Sequence, residues 1–399
     1  MRTKRLASAL IAALAMAASV SQANDWDDTL SAAKGQTVYF NAWGGSDAIN
    51  SYISWAGEQV EQRYGVKVEQ VKITDAAAVV ARILAEKTAD RNSDGSVDLI
   101  WVNGENFRTL KTNGLLQAPW TQDLPNYAFV DTENKATTTL DFGEPVDNLE
   151  APWGMAQLVF IYDSAQLAEP PRSMQALLEH AQANVGRVSY AKPPNFHGTT
   201  FIKQALTELT NDAEALQHPA EESDSAAVTA PLWAYLDQLH PVLWRSGKNF
   251  PADGEKTRQL LDDGELDIAM TFNPSEASRA IADGQLADTV RTYIHDGGTI
   301  GNTHFVAIPY NAKASEGAKV LADFLMSAEA QARKATPEIW GDPTVLAINK
   351  LDAKAQQLFA DVPRGVATLS PAELSPTLPE PHASWVQLLE DEWQKRYGQ

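Results

Sequence analysis

Thr37-Val38-Tyr39-Phe40-Asn41-Ala42-Trp43-Gly44-Gly45-Ser46 decides the fold class. Thr37 to Asn41 reads as a buried strand, and after the Gly-Gly-Ser break Ile49, Ile53, Ala56 and Val60 recur at helical spacing up to Gly65. A second strand, Val66 to Ile73, follows directly. Thr74 and Asp75 can cap a helix presenting Val79, Val80, Ile83 and Leu84 on one face, and Val97 to Val102 is a third strand. Strand and helix alternate, so the spacing predicts a parallel sheet and an α/β fold. Ligands of such sheets lie beyond the carboxyl ends of the strands, which directs attention to Asn41–Ser46 and Asn103–Asn106.

Working outward, Ala151-Pro152-Trp153-Gly154 opens an apolar stretch, Met155 to Tyr162, read as a strand leaving the first lobe. A second α/β set follows: a strand at Arg187–Tyr190, the loop Pro193–Gly198, a helix from Thr199 and a strand at Leu266–Phe272 ending in Asn273-Pro274. Residues 211–230 are polar and acidic without periodicity and read as a solvated excursion. Gly297 to Pro309, with an apolar strand at Phe305–Ile308, reads as a second crossing between lobes, before a helix over Ser315–Arg333. Ser384 to Tyr397 carries Trp385, Leu388, Leu389 and Trp393 at the spacing of an amphipathic helix docked on the core. No repeat of fixed period occurs. The expected division is a leader at 1–23, one lobe from 24–154 plus 276–312, and a second from 155–275 plus 313–399.

The 399 residues are 44% hydrophobic and contain no Cys, so a large core is available and a disulfide scaffold is excluded. A formal net charge of −20 leaves no broad basic surface for nucleic-acid phosphates. The longest apolar run, Leu6 to Val20, is shorter than the roughly 20 residues a membrane-spanning helix needs. Arg2, Lys4 and Arg5 precede it and Ser21-Gln22-Ala23 follows, so it reads as a cleavable secretory signal ending at Ala23. Without Cys no lipid anchor can follow, and the exported chain is expected to be free and soluble in the periplasm.

Asp90-x-Asn92-x-Asp94-Gly95 with Asp98 has the first half of a calcium loop, but its twelfth position is Trp101. A polar turn feeding the strand at Val97 explains it better. None of the seven His residues stands in a zinc pattern. Gly44-Gly45-Ser46-Asp47-Ala48 lacks the last Gly of a nucleophile elbow, and Arg245-Ser246-Gly247-Lys248-Asn249 lacks the Ser or Thr of a phosphate loop. No metal or cofactor is expected.

An exported α/β chain with two crossings and uncharged Gly-rich loops at strand ends resembles the periplasmic solute-binding proteins of ABC importers, of the two-lobed type II kind. The resemblance rests on Tyr39–Gly45, Tyr64–Val68, Ala151–Gly154 and Ala318–Leu325 followed by Ser327-Ala328-Glu329-Ala330-Gln331. With Asp98–Phe107 it is similar to the YnjB-like branch. It implies a monomeric, non-enzymatic protein that closes two lobes around one small solute and delivers it to a membrane permease driven by an ATPase. Members of the wider group bind thiamine, polyamines, ferric iron or sugars. Iron-binding members use adjacent tyrosines late in the chain, whereas Tyr293 and Tyr310 here are far apart, so an organic ligand is preferred to ferric iron.

Trp43 and Trp153, at strand ends beside Gly, are read as stacking faces of the cleft, with Phe196 and Trp340 as further candidates; Trp233, on a helix, reads as core. Gly44, Gly45, Ser46, Asn103, Asn106, Asn195, His197, Asn273 and Asn302 supply polar loop groups, and Glu105 and Glu276 the nearest carboxylates. A cation between aromatic faces and a carboxylate gains both cation–π and Coulomb attraction. Gly198, Thr199 and Thr200 at a helix start invite an anionic end, with Lys192 and Lys203 near, unless Thr199 is a simple N-cap. A cationic or zwitterionic solute is the expectation. A secreted hydrolase or lyase using Glu105 and His197 as acid and base is the alternative from another class.

Overall fold

The computed structural model describes residues 26–370 and 372–398, so the expected leader lies outside the described residues. Its first sheet runs β2 (Lys67–Ile73), β1 (Thr37–Trp43), β3 (Leu99–Val102) and β8 (Thr299–Ala307), with β4 (Glu150–Gln157) and the short β9 (Thr377–Leu378) also on β8. β1, β2 and β3 are parallel, as the alternation predicts, and β8 is antiparallel to β3 and β4. Phe40, Asn41 and Ala42 are all buried, so both faces of β1 are covered.

The helix Asp47–Tyr64 begins where Ser46 accepts from the Ile49 N–H and ends at Gly65, whose φ of 70° is left-handed. Asp75 caps Ala76–Thr88, burying Val79, Val80 and Ile83 but leaving Leu84 exposed.

The apolar stretch Met155–Tyr162 is not one strand. β4 ends at Gln157 and β5 (Val159–Asp163) begins a second sheet, with the Leu158 N–H held by the Ile300 carbonyl at 2.8 Å. That sheet places β5 between β6 (Ile268–Thr271) and β7 (Val290–Tyr293), both antiparallel to it. The second sheet is therefore antiparallel throughout, unlike the pairing of β1 to β3. Arg187–Tyr190 forms no strand, because its successive carbonyls serve different neighbours: Arg187 accepts from Asp267 and Val188 from Trp244.

The helix expected over Ser315–Arg333 is two helices, Ser315–Leu325 and Ala328–Ala335, separated where Ser327 caps the Ala330 N–H. Residues 211–230 are not a free excursion either. Ala215, Leu216 and Ala220 are buried, and the Leu216 carbonyl accepts from His382 at 2.7 Å while Ala220 donates to Ser384. The helix Ser384–Tyr397 docks through Trp385, Leu389 and Trp393, as its spacing predicts.

Core membership divides the chain differently from the expected boundaries. Ala314 to Leu351 pack with Val38, Phe40 and Trp153 in the first core, whereas Ala277, Ala280 and Val290 pack with Ile161 and Ala269 of the second sheet. Tertiary burial decides this, since each segment's own pattern shows only that it has an apolar face.

Candidate functional site

β1 and β3 end side by side, and their following loops share one rim. Trp43 is 42% exposed, its ring lying against Gly45, where any side chain would collide with it. Gly44 is held by the Ile73 carbonyl and by Asn50, and its α-carbon sits against the Lys72 side chain. Asn103 precedes the helix Gly104–Thr112 without capping it, so its amide is uncommitted, and Asn106 donates to Glu105 at 3.1 Å.

Glu105 is reached by solvent, yet protein around it pushes its carboxyl above the usual range. Lys203 opposes that rise, and Glu380 and Asp75 add to it. Glu105 stands in the helix that follows β3, at the edge of the sheet where β1 also stops. Lys203 itself is buried, its ammonium 2.7 Å from Glu380, 4.5 Å above the Phe142 ring and 5.9 Å from the Phe196 ring. Glu390, also raised by burial and further by Glu105, accepts from Thr199 at 2.6 Å. Lys203 thus has one carboxylate, Glu380, in direct contact, while Glu105 and Glu390 feel its charge without bonding to it.

On the second lobe the helix Phe196–Leu209 starts one turn earlier than expected, with Asn195 capping the His197 N–H at 3.0 Å. Gly198, Thr199 and Thr200 are consequently inside the helix and buried, and Thr200 bonds back to the Phe196 carbonyl. The helix start lies at Asn195 instead, and the Thr199 N–H is taken by the Asn195 carbonyl at 2.9 Å. Phe196 is 43% exposed and meets Phe272 edge-on at 5.2 Å. His197 packs against Gly254; burial lowers its pKa, and the charges opposing this are Glu276, Asp253 and Glu255 rather than Glu105. Glu276 is committed to Arg258 at 3.2 Å and to Thr271.

The first core carries an aromatic cluster under the crossing strands. Trp153 is fully buried, against Trp101 at 5.0 Å, Trp340 at 5.3 Å and Phe40 at 6.0 Å. Trp340 is buried too. Neither offers the cleft a free face, because β4 is covered on both sides. Asn273 reaches across to donate to the Trp340 carbonyl at 2.9 Å, and buried Asn302 donates to Glu380 at 3.1 Å. Within the cluster Lys334 and Asp342 pair at 2.5 Å, and Asp342 also meets His304 at 3.0 Å.

The structure therefore gathers Glu105, Thr199 and Phe196 around Lys203, leaves Trp43 on the rim, and removes Trp153, Trp340 and Asn302 into packing. Lys203 lies one turn beyond Thr199, a spacing that places both on one helix face. Glu380, Glu390, Trp101, His304, Lys334 and Asp342 carried no sequence signal, their partners being distant in the chain. Asp98 of the candidate calcium loop accepts from the Tyr39 and Ala314 amides, at 2.9 and 2.8 Å. Among the described residues no cluster of His, Asp and Glu is arranged to hold a metal, and no helix is long and apolar enough to cross a membrane.

Residues 55–358 match the family model of the bacterial extracellular solute-binding proteins. Protein YnjB of Escherichia coli (strain K12) is 47% identical over 390 residues, covering 98% of each chain. Among solved structures, the periplasmic binding protein AfuA from Actinobacillus pleuropneumoniae, bound to fructose-6-phosphate, superposes with a TM-score of 0.63 at 15% identity, covering 91% of this chain and 99% of its own. The Tp0655 (TpPotD) lipoprotein of Treponema pallidum gives 0.65 at 13% identity, covering 91% and 100%. At those identities the structures speak for the type II periplasmic binding fold alone.

Proposed function

Because the chain belongs to the bacterial extracellular solute-binding protein family, whose members serve transport rather than catalysis, we propose that it captures a small organic cation or zwitterion between two lobes. It then presents the closed complex to the permease of an ABC importer. The observation that carries the cation reading is the charge imbalance around Lys203: its ammonium is paired with Glu380, Glu105 and Glu390 lie within electrostatic reach of it, and Glu105 faces solvent. A ligand ammonium or amidinium entering beside Glu105 relieves that excess and gains a charge-assisted hydrogen bond.

Trp43 and Asn103 stand on one lobe and Phe196 and His197 on the other, so only a closed cleft engages both sets. We place the lobes at 26–154 with 306–351, and at 155–300 with 377–397, following the cores. The working form is a periplasmic monomer released from its leader after Ala23. Its radius of gyration should fall on saturation with ligand, as measured by X-ray scattering.

Native mass spectrometry of protein purified from the periplasm identifies a retained ligand by mass, and calorimetry with that compound then tests Glu105. Glu105→Gln keeps shape and removes charge, and should weaken binding by about 1.5–3 kcal/mol. Unchanged affinity would exclude Glu105 as the cation's partner and favour a neutral solute.

A further inference from the structure

We propose that the Nδ1 edge of His304 and the adjoining face of Trp101 form a subsite for the planar, N–H-bearing part of the ligand. The inference rests on the cleft reading above and adds the chemistry of one end of the solute. His304 lies on β8 opposite Gly154 of β4, on the strands that pass between the lobes. Its ring is fixed on three sides. Trp340 stacks on it at 6.0 Å and 16°, Trp101 meets it edge-on at 5.2 Å, and Asp342 Oδ1 is 3.0 Å from Nε2.

The hydrogen-bond roles follow from the second oxygen of Asp342. It is paired at 2.5 Å with Lys334, which is fully buried and whose ammonium also donates to the Trp153 carbonyl. A carboxylate facing a buried ammonium is ionised and can only accept, so Nε2 of His304 donates to it. In the neutral ring Nδ1 is then a bare acceptor. No described residue bonds to Nδ1, and it is absent from the sealed, partnerless polar atoms, the side chain being 14% exposed. Gly154 keeps the arrangement compact, since a side chain there would collide with Asp342, Lys334 and His304 together.

An acceptor beside an indole face selects a donor-bearing ring: an aromatic amine, an amidine or a protonated nitrogen heterocycle. It offers nothing to a carboxylate or phosphate, because the nearest cation, Lys334, is sealed beneath it. Lys334 and Asp342 act as positioning residues, and His304 and Trp101 make the contact.

The test uses the full folded protein with ¹⁵N-labelled histidine at pH 8, probed with benzamidine and with benzoate, rings of similar size and opposite end chemistry. The His304 ¹⁵N shifts should show the Nε2–H tautomer. Benzamidine should move the Nδ1 signal, and benzoate at the same concentration should not. His304→Phe, which keeps a ring and removes both nitrogens, should weaken benzamidine binding by about tenfold. An Nδ1–H tautomer, an equal response to benzoate, or full benzamidine affinity in His304→Phe would each overturn the subsite. Should His304→Phe fail to fold, the wild-type tautomer and the two probes still decide. The probes are read at His304, so a negative result alongside a weakened Glu105→Gln variant removes this subsite and leaves the proposed function standing.

Discussion

Two buried lysines, Lys334 and Lys203, sit in similar surroundings and do different work. Each pairs with one buried carboxylate, Asp342 or Glu380, and each lies over aromatic rings. Around Lys334 the account is balanced: one ammonium, one carboxylate, a carbonyl and a histidine, enclosed by tryptophans of the first core. Around Lys203 it is not, since Glu105 and Glu390 also lie within reach of its charge and Glu105 faces solvent. A balanced, enclosed pair serves rigidity, whereas an unbalanced one at a cleft wall leaves attraction for a ligand.

The largest effect should come from breaking the balanced pair. Lys334→Met strands the Asp342 carboxylate in an apolar box and should cost about 3–5 kcal/mol of unfolding free energy, measured by urea denaturation. Adding Asp342→Leu should recover much of that loss, because a packed apolar pair removes the uncompensated charge. If Lys334→Met alone is harmless, the two lysines are not different in kind.

The tryptophans sharpen the same contrast. Trp153→Ala should cost about 3–5 kcal/mol of stability, as truncation of a buried aromatic does. Trp43→Ala should change stability by less than about 0.5 kcal/mol while weakening ligand binding. Comparable losses of stability from both would place Trp43 in packing as well.

The smallest effect is a pH dependence at the cleft wall. Burial raises the Glu105 carboxyl, so it gains a proton at a higher pH than an ordinary glutamate, and only the ionised form attracts a cation. Affinity for a cationic ligand should therefore decline as pH falls, beginning above the usual range of about 4.3. Calorimetry across pH 4 to 7 would show it, and Glu105→Gln should flatten that part of the profile. A decline of equal size in the variant would assign it to another group.

The first half of the sheet was legible because its signals are local. Thr37–Trp43 and the helix to Tyr64 announce themselves by period and by Ser46 and Gly65 at the ends, and Ser384–Tyr397 by its Trp and Leu spacing. The rim was legible for the same reason, since Trp43 and Glu105 follow strand ends. Trp153 misled because it reads as a loop residue ahead of a strand at Met155, whereas β4 begins at Glu150 and carries Trp153 through its middle, covered by Trp101, Trp340 and Lys334. Thr199 misled because Asn195 caps the helix one turn earlier, and either residue is a competent cap.

Sequence by itself determined the alternation that builds β1 to β3, the C-terminal helix, the candidate leader and the absence of disulfide chemistry, because each depends on composition or on neighbours a few residues away. Tertiary structure alone decided the antiparallel second sheet, the return of Ala314–Leu351 to the first core, and the meeting of Lys203 with Glu380 and of His304 with Asp342 and Lys334. Lys203 and Glu380 are 177 positions apart and Tyr52 and Ala330 278, and at such separations pairing follows from which faces are left to bury and which charges are left to match, not from any local pattern.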